Sequence, residues 1–471
     1  MTFSKNYLFV LLSMAFLLVS FPVYGSAESS STMKKDESQE NYTYLLKSSE
    51  QTKEVVEIIK SQYPSLKVTA IEEIGLIYVE NPKNVDVAKM ENELTEYTAA
   101  QGELPDLLPP DEDTVTPNQA LNEVKQSMLE ESKELNPFNT NIPFPSLSSE
   151  AFMPFNWYLK DVTSDHKSLS IDEGERSTIA LIDSGVDLGH PLIKENIDVT
   201  LAKNYITNDG DVTDELGHGT TIAGILSNMA PETTIVPYKV VGHAGGESVW
   251  VIDAMIDAAN HDSDVISVSV GTYLIKSETE DKLLIKAYER ALKYAKKKGS
   301  VVVASAGNDG FDLDELKKMK FKHLPGGLHH VITVSSNTKF NTLAYYSNFG
   351  KEVDFSAPGG SLFDEEGFTD TNGMIITTFP TDQPNTPLDR FLGIPQGYTL
   401  AEGTSYAVPQ VSAAAALIIS EYTERTGSKP SVHKVVKYLD RGSSDIGKRG
   451  KDNYFGKGKV NAYHSLMMIN K

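Results

Sequence analysis

The sequence predicts an α/β fold, a parallel sheet with helices on both faces, preceded by a small α+β unit. Two patterns predict it. From Phe155 onward, short β-rich runs alternate with helix-length runs, the order that a parallel sheet covered on both sides requires. Ahead of that, Tyr42 to Leu94 reads as strand–helix–strand–strand–helix. The length of 471 residues and the apolar fraction of 40% are enough for two folded parts.

The elements follow in order. Tyr42–Lys47 alternates like a strand, and Thr52–Gln62 places Val55, Val56, Ile58 and Ile59 on a helical face. Lys67–Ile71 and Leu76–Glu80 read as short strands around Gly75, and Val85–Leu94 as a second helix. Between 101 and 150 the composition changes. Pro105, Pro109, Pro110 and Pro117 surround the acidic run Asp111–Asp113, and Pro137, Pro143 and Pro145 form a second cluster. Such a stretch resists packing and reads as an exposed linker open to proteolysis, in which only Gln119–Leu135 has helical character. Beyond it, Thr178–Ile182, Thr234–Val241, Asp264–Val270, Ser300–Ala304 and Val331–Val334 are β-rich. Ser248–Asn260, Glu280–Lys298 and Thr404–Tyr422 are helix-like.

Composition narrows the function. The formal charge is −22, which repels phosphates and argues against nucleic acid as a partner. Residues 28–150 carry 24 acidic and 10 basic side chains, so most of the excess lies in the N-terminal third. Without cysteine, disulfide scaffolds, thiol nucleophiles and thiolate metal sites are all excluded. Residues 1–27 read as a secretory signal: Lys5, the apolar run Tyr7–Phe21, the breaker Pro22 and a small-residue exit at Gly25-Ser26-Ala27. The apolar run is shorter than the roughly 20 residues of a membrane span, so export without a stable membrane anchor is expected.

Three segments carry chemistry. Ala180-Leu-Ile-Asp183-Ser-Gly-Val-Asp187 ends an apolar strand in an acid. Leu216-Gly-His218-Gly-Thr220 opens a helix, and Gly403-Thr-Ser405-Tyr-Ala-Val-Pro409 opens another. Singly, each has an ordinary reading as a turn, a loop or a helix cap. Together they supply what acyl transfer needs: a hydroxyl, an imidazole to take its proton, and a carboxylate to hold the imidazole in one tautomer.

With these motifs, and with Ala304-Ser-Ala-Gly307-Asn308-Asp-Gly310, the chain over roughly 155–465 resembles the subtilisin-like serine proteases, or subtilases. The resemblance implies a subtilisin-like three-layer domain with a parallel sheet at 151–471. It implies Asp183, His218 and Ser405 as catalytic residues and Asn308 at the oxyanion. The substrate-binding backbone would come from Ser267, Val268, Ser269, Val270 and Gly271, and from Ser305, Ala306, Gly307 and Asp309. The unit at 28–100 resembles the inhibitory, folding-assisting propeptides of that family, with 101–150 as the activation linker. The cut would fall within Ser127–Phe155, for instance at Lys133.

Departures from the family pattern refine the expectation. Only Ser227–Thr233 separates the helix after His218 from the next strand, where secreted subtilisins carry a calcium-binding loop. No cofactor is required, and the usual tight calcium site is expected to be missing, with another site left open. Thr221 replaces a common second histidine, and Tyr406 replaces a common methionine, which predicts tolerance of mild oxidants. Length, the acidic prosegment, the shortened loop and the lack of cysteine resemble the lantibiotic leader peptidases of Gram-positive bacteria. That likeness implies a peptide precursor as substrate, the chain's own propeptide as an intramolecular inhibitor, and a secreted monomer. A broad extracellular subtilase is the alternative within the class, and an inactive binding module the alternative outside it. Asp309, with Asp312, Asp314 and Glu315 nearby, either favours a basic residue before the scissile bond or belongs to a solvated acidic loop.

Overall fold

The computed structural model describes residues 41–80, 87–102, 104, 106–107, 145–275 and 279–469. The signal-like segment 1–27 and most of the 101–150 stretch, with Lys133, lie outside the described residues.

In chain order the N-terminal unit has strand β1 (Tyr42–Leu46), helix α1 (Thr52–Gln62), strands β2 (Lys67–Ile71) and β3 (Leu76–Glu80), helix α2 (Val87–Leu94) and strand β4 (Thr98–Gly102). Its strands form an antiparallel sheet in the order β2-β3-β1-β4. The period of two divides the side chains between two interiors. Tyr44, Leu46, Ile77 and Val79 face α1 and α2 and close a small core with Val55, Ile59, Met90 and Leu94. Leu45, Leu76, Ile71 and Ile74 point the other way, into the core of the large domain.

The expectation of unpacked chain from residue 101 differs from the structure at its start. Gln101 and Gly102 belong to β4, paired with β1, and Asp106–Leu107 forms a further strand, β5. Thr-Ala-Ala-Gln-Gly has little strand propensity of its own. Backbone pairing to a preformed edge places it instead.

The large domain continues with α3 (Trp157–Thr163), β6 (Thr178–Asp183), β7 (Lys203–Asn204), α4 (His218–Met229), β8 (Thr234–Lys239), β9 (Val241–Gly242), β10 (Gly245–Glu247), α5 (Ser248–Asn260), β11 (Val265–Val268), β12 (Thr272–Ile275) and α6 (Thr279–Lys298). Then come β13 (Val301–Ser305), α7 (Leu313–Lys318), β14 (Phe321–Leu324), β15 (Val331–Asn337), β16 (Phe355–Pro358), β17 (Ile375–Thr378), α8 (Pro387–Leu392), β18 (Tyr398–Ala401), α9 (Thr404–Thr426), α10 (Val432–Gly442) and α11 (Ala462–Met467). Seven strands make one parallel sheet in the order β16-β15-β13-β11-β6-β8-β7. Alternation again sorts the core. Ile179, Leu181, Val265 and Val303 meet α4 and α9 on one face, and Ala180, Ile182, Ile266 and Val302 meet α5 and α6 on the other. The sequence therefore folds as the subtilisin-like three-layer arrangement it predicts. Helix α9 runs through the interior, buried on nearly every side from Thr404 to Glu421, and its Ala413–Ala416 run lets the sheet approach closely.

The two units share a face formed by α5 and α6. Arg290 donates to the Ile74 carbonyl at 2.8 Å, Asn260 donates to Glu73 at 2.6 Å, and the Tyr78 hydroxyl donates to Glu247 at 2.5 Å. Strand β5 leaves its own unit and pairs antiparallel with β10, which gives the two-stranded β9–β10 edge a third strand.

In the short turn after α4 the carbonyls of Pro231 and Thr233 both accept from the Asn196 amide, at 2.7 and 3.0 Å.

Asp253 of α5 lies under this face beside Asp257, with Lys203 3.7 Å away. Burial first, then Asp257 and Glu73, push its carboxyl up to about 6 against the pull of Lys203. The folded chain thus holds a proton that the unfolded chain has released above about pH 4. The stability present below that range is lost as pH rises through about 6. Asp253→Asn should therefore raise the thermal midpoint at pH 7.5 and leave it nearly unchanged at pH 4.5. Calorimetry at both values checks this, and an equal effect at the two would contradict it.

Candidate active site

The site forms where one strand ends and two helices begin. Asp183 is the last residue of β6, His218 the first of α4, and Ser405 the second of α9. Helices α4 and α9 pack against each other, which brings their N-terminal turns to the same end of the sheet. The Asp183 carboxylate is fully buried, and its Oδ1 lies 2.7 Å from His218 Nδ1. An ionised carboxylate only accepts, so Nδ1 carries the proton of this contact and Nε2 is the nitrogen left with a lone pair in neutral imidazole. The Ser184 N–H donates to the same carboxylate oxygen at 2.8 Å. Ser405 keeps its hydroxyl within 3.3 Å of the Ser269 carbonyl, so the nucleophile candidate sits against the end of β11. Tyr406 stands beside His218, with ring centroids 6.0 Å apart.

Close approach of backbone to backbone makes this geometry. A Cβ on Gly219 would come within 2.0 Å of the Gly185 carbonyl oxygen, so the first turn of α4 can lie against the Asp183 loop only if that residue is glycine.

Asn308 is oriented by a residue that motif reasoning passes over. Thr404 donates twice to Asn308 Oδ1, from its backbone N–H at 2.8 Å and its hydroxyl at 2.6 Å. With the carbonyl end of the amide held in this way, Nδ2 is turned toward Gly403, whose Cβ position lies 3.6 Å from it. The Gly403 N–H donates to Gly359 of the Phe355–Gly359 segment at 2.9 Å, and the buried Tyr346 hydroxyl ties the same loop to Gly359 and Gly360 at 2.8 Å. Two N–H donors beside a hydroxyl at a helix N-terminus can stabilise a developing oxyanion.

A second unforeseen residue is Asp214, a buried carboxylate at the start of α4. One oxygen accepts from the Gly217 N–H and the Ser184 hydroxyl, each at 2.8 Å. The other accepts from Thr220, at 2.8 Å from its N–H and 2.6 Å from its hydroxyl. Desolvation pushes its pKa up while these bonds resist. The Lys239 ammonium holds the loop from outside through Thr213 O, at 2.7 Å. An Asp four residues before a His at a helix start is a signal, although a weak one, since capping alone accounts for it.

The expected substrate-binding residues divide in two. Ser269, Val270 and Gly271 follow the end of β11, and Gly307, Asn308 and Asp309 follow the end of β13, so the two runs emerge from neighbouring strands. Ser267 and Val268 lie inside β11, fully buried, and Ser267 meets Ser412 of α9 at 3.1 Å. Ser305 ends β13, and Ala306 is fully buried behind it. Ser269 and Val270 are buried too, so among these nine residues only Gly271 and Asp309 are exposed, with Gly307 partly so. Asp309 is exposed, and its carboxylate accepts from the Tyr273 hydroxyl. Asp312 caps α7 by accepting from Asp314 and Glu315, and Lys322 pairs with Glu352 at 2.6 Å. The acidic cluster there is therefore largely taken up by local structure. His323 is buried with its ring 5.0 Å from that of Tyr273, and burial with Lys322 beside it lowers its pKa to about 4. His190 bonds the Gly397 carbonyl and the Leu192 N–H, a structural role.

Thr404→Val keeps the backbone donor to Asn308 and removes the hydroxyl. It is expected to lower kcat about tenfold, the worth of one hydrogen bond of about 1.4 kcal/mol, with KM little changed. Steady-state kinetics on a peptide anilide checks this; a change confined to KM would contradict it.

The family model described as the Subtilase family, peptidase S8, matches residues 174–458. The epidermin leader peptide-processing serine protease of Staphylococcus epidermidis is 29% identical over 364 residues, 66% of this chain and 73% of that protein. The nisin leader peptide-processing serine protease of Lactococcus lactis is 27% identical over 319 residues, 58% of this chain and 45% of that protein. Among solved structures, a lanthipeptide protease shares 41% identity and a TM-score of 0.67, over 69% of this chain and 98% of that one. The epidermin leader peptidase of Staphylococcus aureus shares 26% identity and a TM-score of 0.69, over 92% of this chain and 99% of that one. A buried Asp–His pair beside a helix-borne serine, a parallel sheet that carries it and a family match over most of the large domain lead to one conclusion: the chain belongs to the subtilase family of serine proteases.

Proposed function

We propose that this protease removes the leader from a lantibiotic precursor, with Asp183, His218 and Ser405 as its triad and Asn308 as an oxyanion donor. The observation that carries the chemistry is the 2.7 Å contact between Asp183 and His218 at the end of the sheet where Ser405 opens α9. In this reading His218 takes the Ser405 proton as the hydroxyl attacks the peptide carbonyl. Asp183 stabilises the imidazolium that results, and the Asn308 Nδ2 and Ser405 backbone N–H bond the oxyanion. His218 then passes its proton to the leaving amine, and water hydrolyses the acyl-enzyme by the same route. The substrate assignment is supported by relatives whose names specify leader-peptide processing.

The chain is proposed to be an exported zymogen, with a signal at 1–27, an inhibitory unit at 28–100, an activation linker at 101–150 and the protease at 151–471. Support comes from β5. Leu107 is buried, paired with Gly246, so the segment that leaves the N-terminal unit adds a strand to the edge of the protease domain, as an extended peptide substrate would.

Ser405→Ala is expected to abolish labelling by a fluorophosphonate probe and to reduce cleavage of a leader-bearing precursor by about 10⁶-fold. The variant should also accumulate as the uncut chain. Mass spectrometry of precursor and enzyme reads both effects. Precursor cleavage by the Ser405→Ala protein would overturn the triad, and equally fast cleavage of casein by the wild type would replace leader processing with broad proteolysis.

A further inference from the structure

An aromatic surface is tied to the loop that carries Ser405. Tyr345 is 40% exposed, stands edge-on to Phe363 with centroids 5.2 Å apart, and donates its hydroxyl to Glu402 at 2.7 Å. The other Glu402 oxygen accepts the Leu362 N–H at 2.7 Å. Glu402 immediately precedes Gly403, so this surface is hydrogen-bonded to the loop that carries Ser405. Farther out, Phe368 is 70% exposed, on a loop closed by the pairing of Phe363 with Thr369. Apolar surface left open next to a catalytic centre marks a binding face.

Topology says which part of a substrate it meets. Tyr345 lies between β15 and β16, and Phe363 follows β16, at one edge of the sheet. The chain's own β5 lies on β10, which follows β8 and β9 toward the other edge, beyond β11. The Tyr345–Phe363 surface and the β5–β10 edge thus lie on opposite sides of β11 in the sheet order. Charge says what kind of peptide would suit that surface. From Glu352 to Asp389 the chain has eight acidic residues and no basic one. Glu352, Asp354 and Asp370 are answered by Lys322, Lys451 and Lys339, and Asp389 is buried as a cap. Glu365 and Glu366 are exposed on the same loop as Phe368.

We propose that Tyr345, Phe363, Phe368 and Glu402 form a shelf for the part of the peptide substrate that follows the scissile bond, and that this part is apolar and cationic. The proposal rests on the assignment of Ser405 as nucleophile. The shelf would let the protease recognise the product it releases as well as the leader it removes, and it would act mainly on KM.

The test uses the wild-type protease and three substrates that share one leading sequence. One continues into a segment bearing Phe and Lys, one into a segment bearing Ser and Asp, and one ends in a chromogenic anilide. The first is expected to exceed the second at least tenfold in kcat/KM at 50 mM salt, mainly through KM, and the gap should shrink several-fold at 500 mM, since exposed charges are screened. Phe363→Ala and Glu402→Gln should each lower the ratio of the first substrate to the anilide, about five-fold or more. Equal kcat/KM for the two peptides, with the anilide cleaved, would overturn the shelf and leave Ser405 in place. No turnover of any of the three would overturn the nucleophile and the shelf with it.

Discussion

The structure depends on holding one carboxyl group, Asp183, out of water at the end of a central strand. Such a group is costly to bury unless it is paired. The pairing with His218 Nδ1 and the Ser184 N–H requires the first turn of α4 to meet the end of β6 at hydrogen-bond distance. Gly219 permits that approach, and Asp214 fastens the turn by capping it. The cap is itself a buried acid, kept in place by the N–H and hydroxyl donors around it. Two carboxylates are thus embedded within one small region: Asp214 accepts on both oxygens, while Asp183 accepts on Oδ1 alone and its buried Oδ2 has no hydrogen-bond partner among the described residues.

The side that carries Ser405 is built by a different device. Helix α9 is nearly all interior, so its first turn cannot shift without disturbing the core on both sides. Its start is pinned by Gly403 to Gly359, by Tyr346 to both sides of the same loop, and by Thr404 to Asn308. The side-chain amide of Asn308 has its orientation decided by Thr404, whose donors identify Oδ1 and leave Nδ2 turned toward Gly403. The N-terminal unit rests on the opposite face of the sheet, over α5 and α6, where its apolar strand residues complete a core shared with the protease.

Much of this was legible in the residues. The boundaries of Thr52–Gln62, Lys67–Ile71, Leu76–Glu80 and Ser248–Asn260 agree with the periodicity, since each is bounded by turn residues and buries one face. The strand Asp264–Val270 is shorter than its apolar run, ending at Val268, because Ser269–Gly271 leave the sheet to meet Ser405. The strands Thr98–Gly102 and Asp106–Leu107 were illegible. Neither has a side-chain pattern to announce it, and both exist because an unpaired edge was available. For the same reason Ser267 and Ser269 are alike in sequence, while one touches Ser412 in the core and the other touches Ser405.

The sequence by itself determined the layer architecture, through its periods of two and 3.6, and it singled out Asp183, His218, Ser405 and Asn308 as candidates, through side chains whose chemistry has few substitutes. Only the tertiary structure decided which groups orient them. Thr404 and Tyr346 act by hydrogen bonds to groups distant in sequence, Asp214 joins its local cap to the distant Ser184, and a capping aspartate or a buried tyrosine looks the same wherever it stands. The fate of the acidic residues was also tertiary. Asp312 and Asp214 are consumed as caps, Asp183 by its histidine and Asp253 beside Lys203, while the loop with Phe368 keeps its charge in solvent. Composition records how many charges a chain has. Which of them are spent in holding the fold, and which remain to meet a substrate, depends on distances that only folding sets.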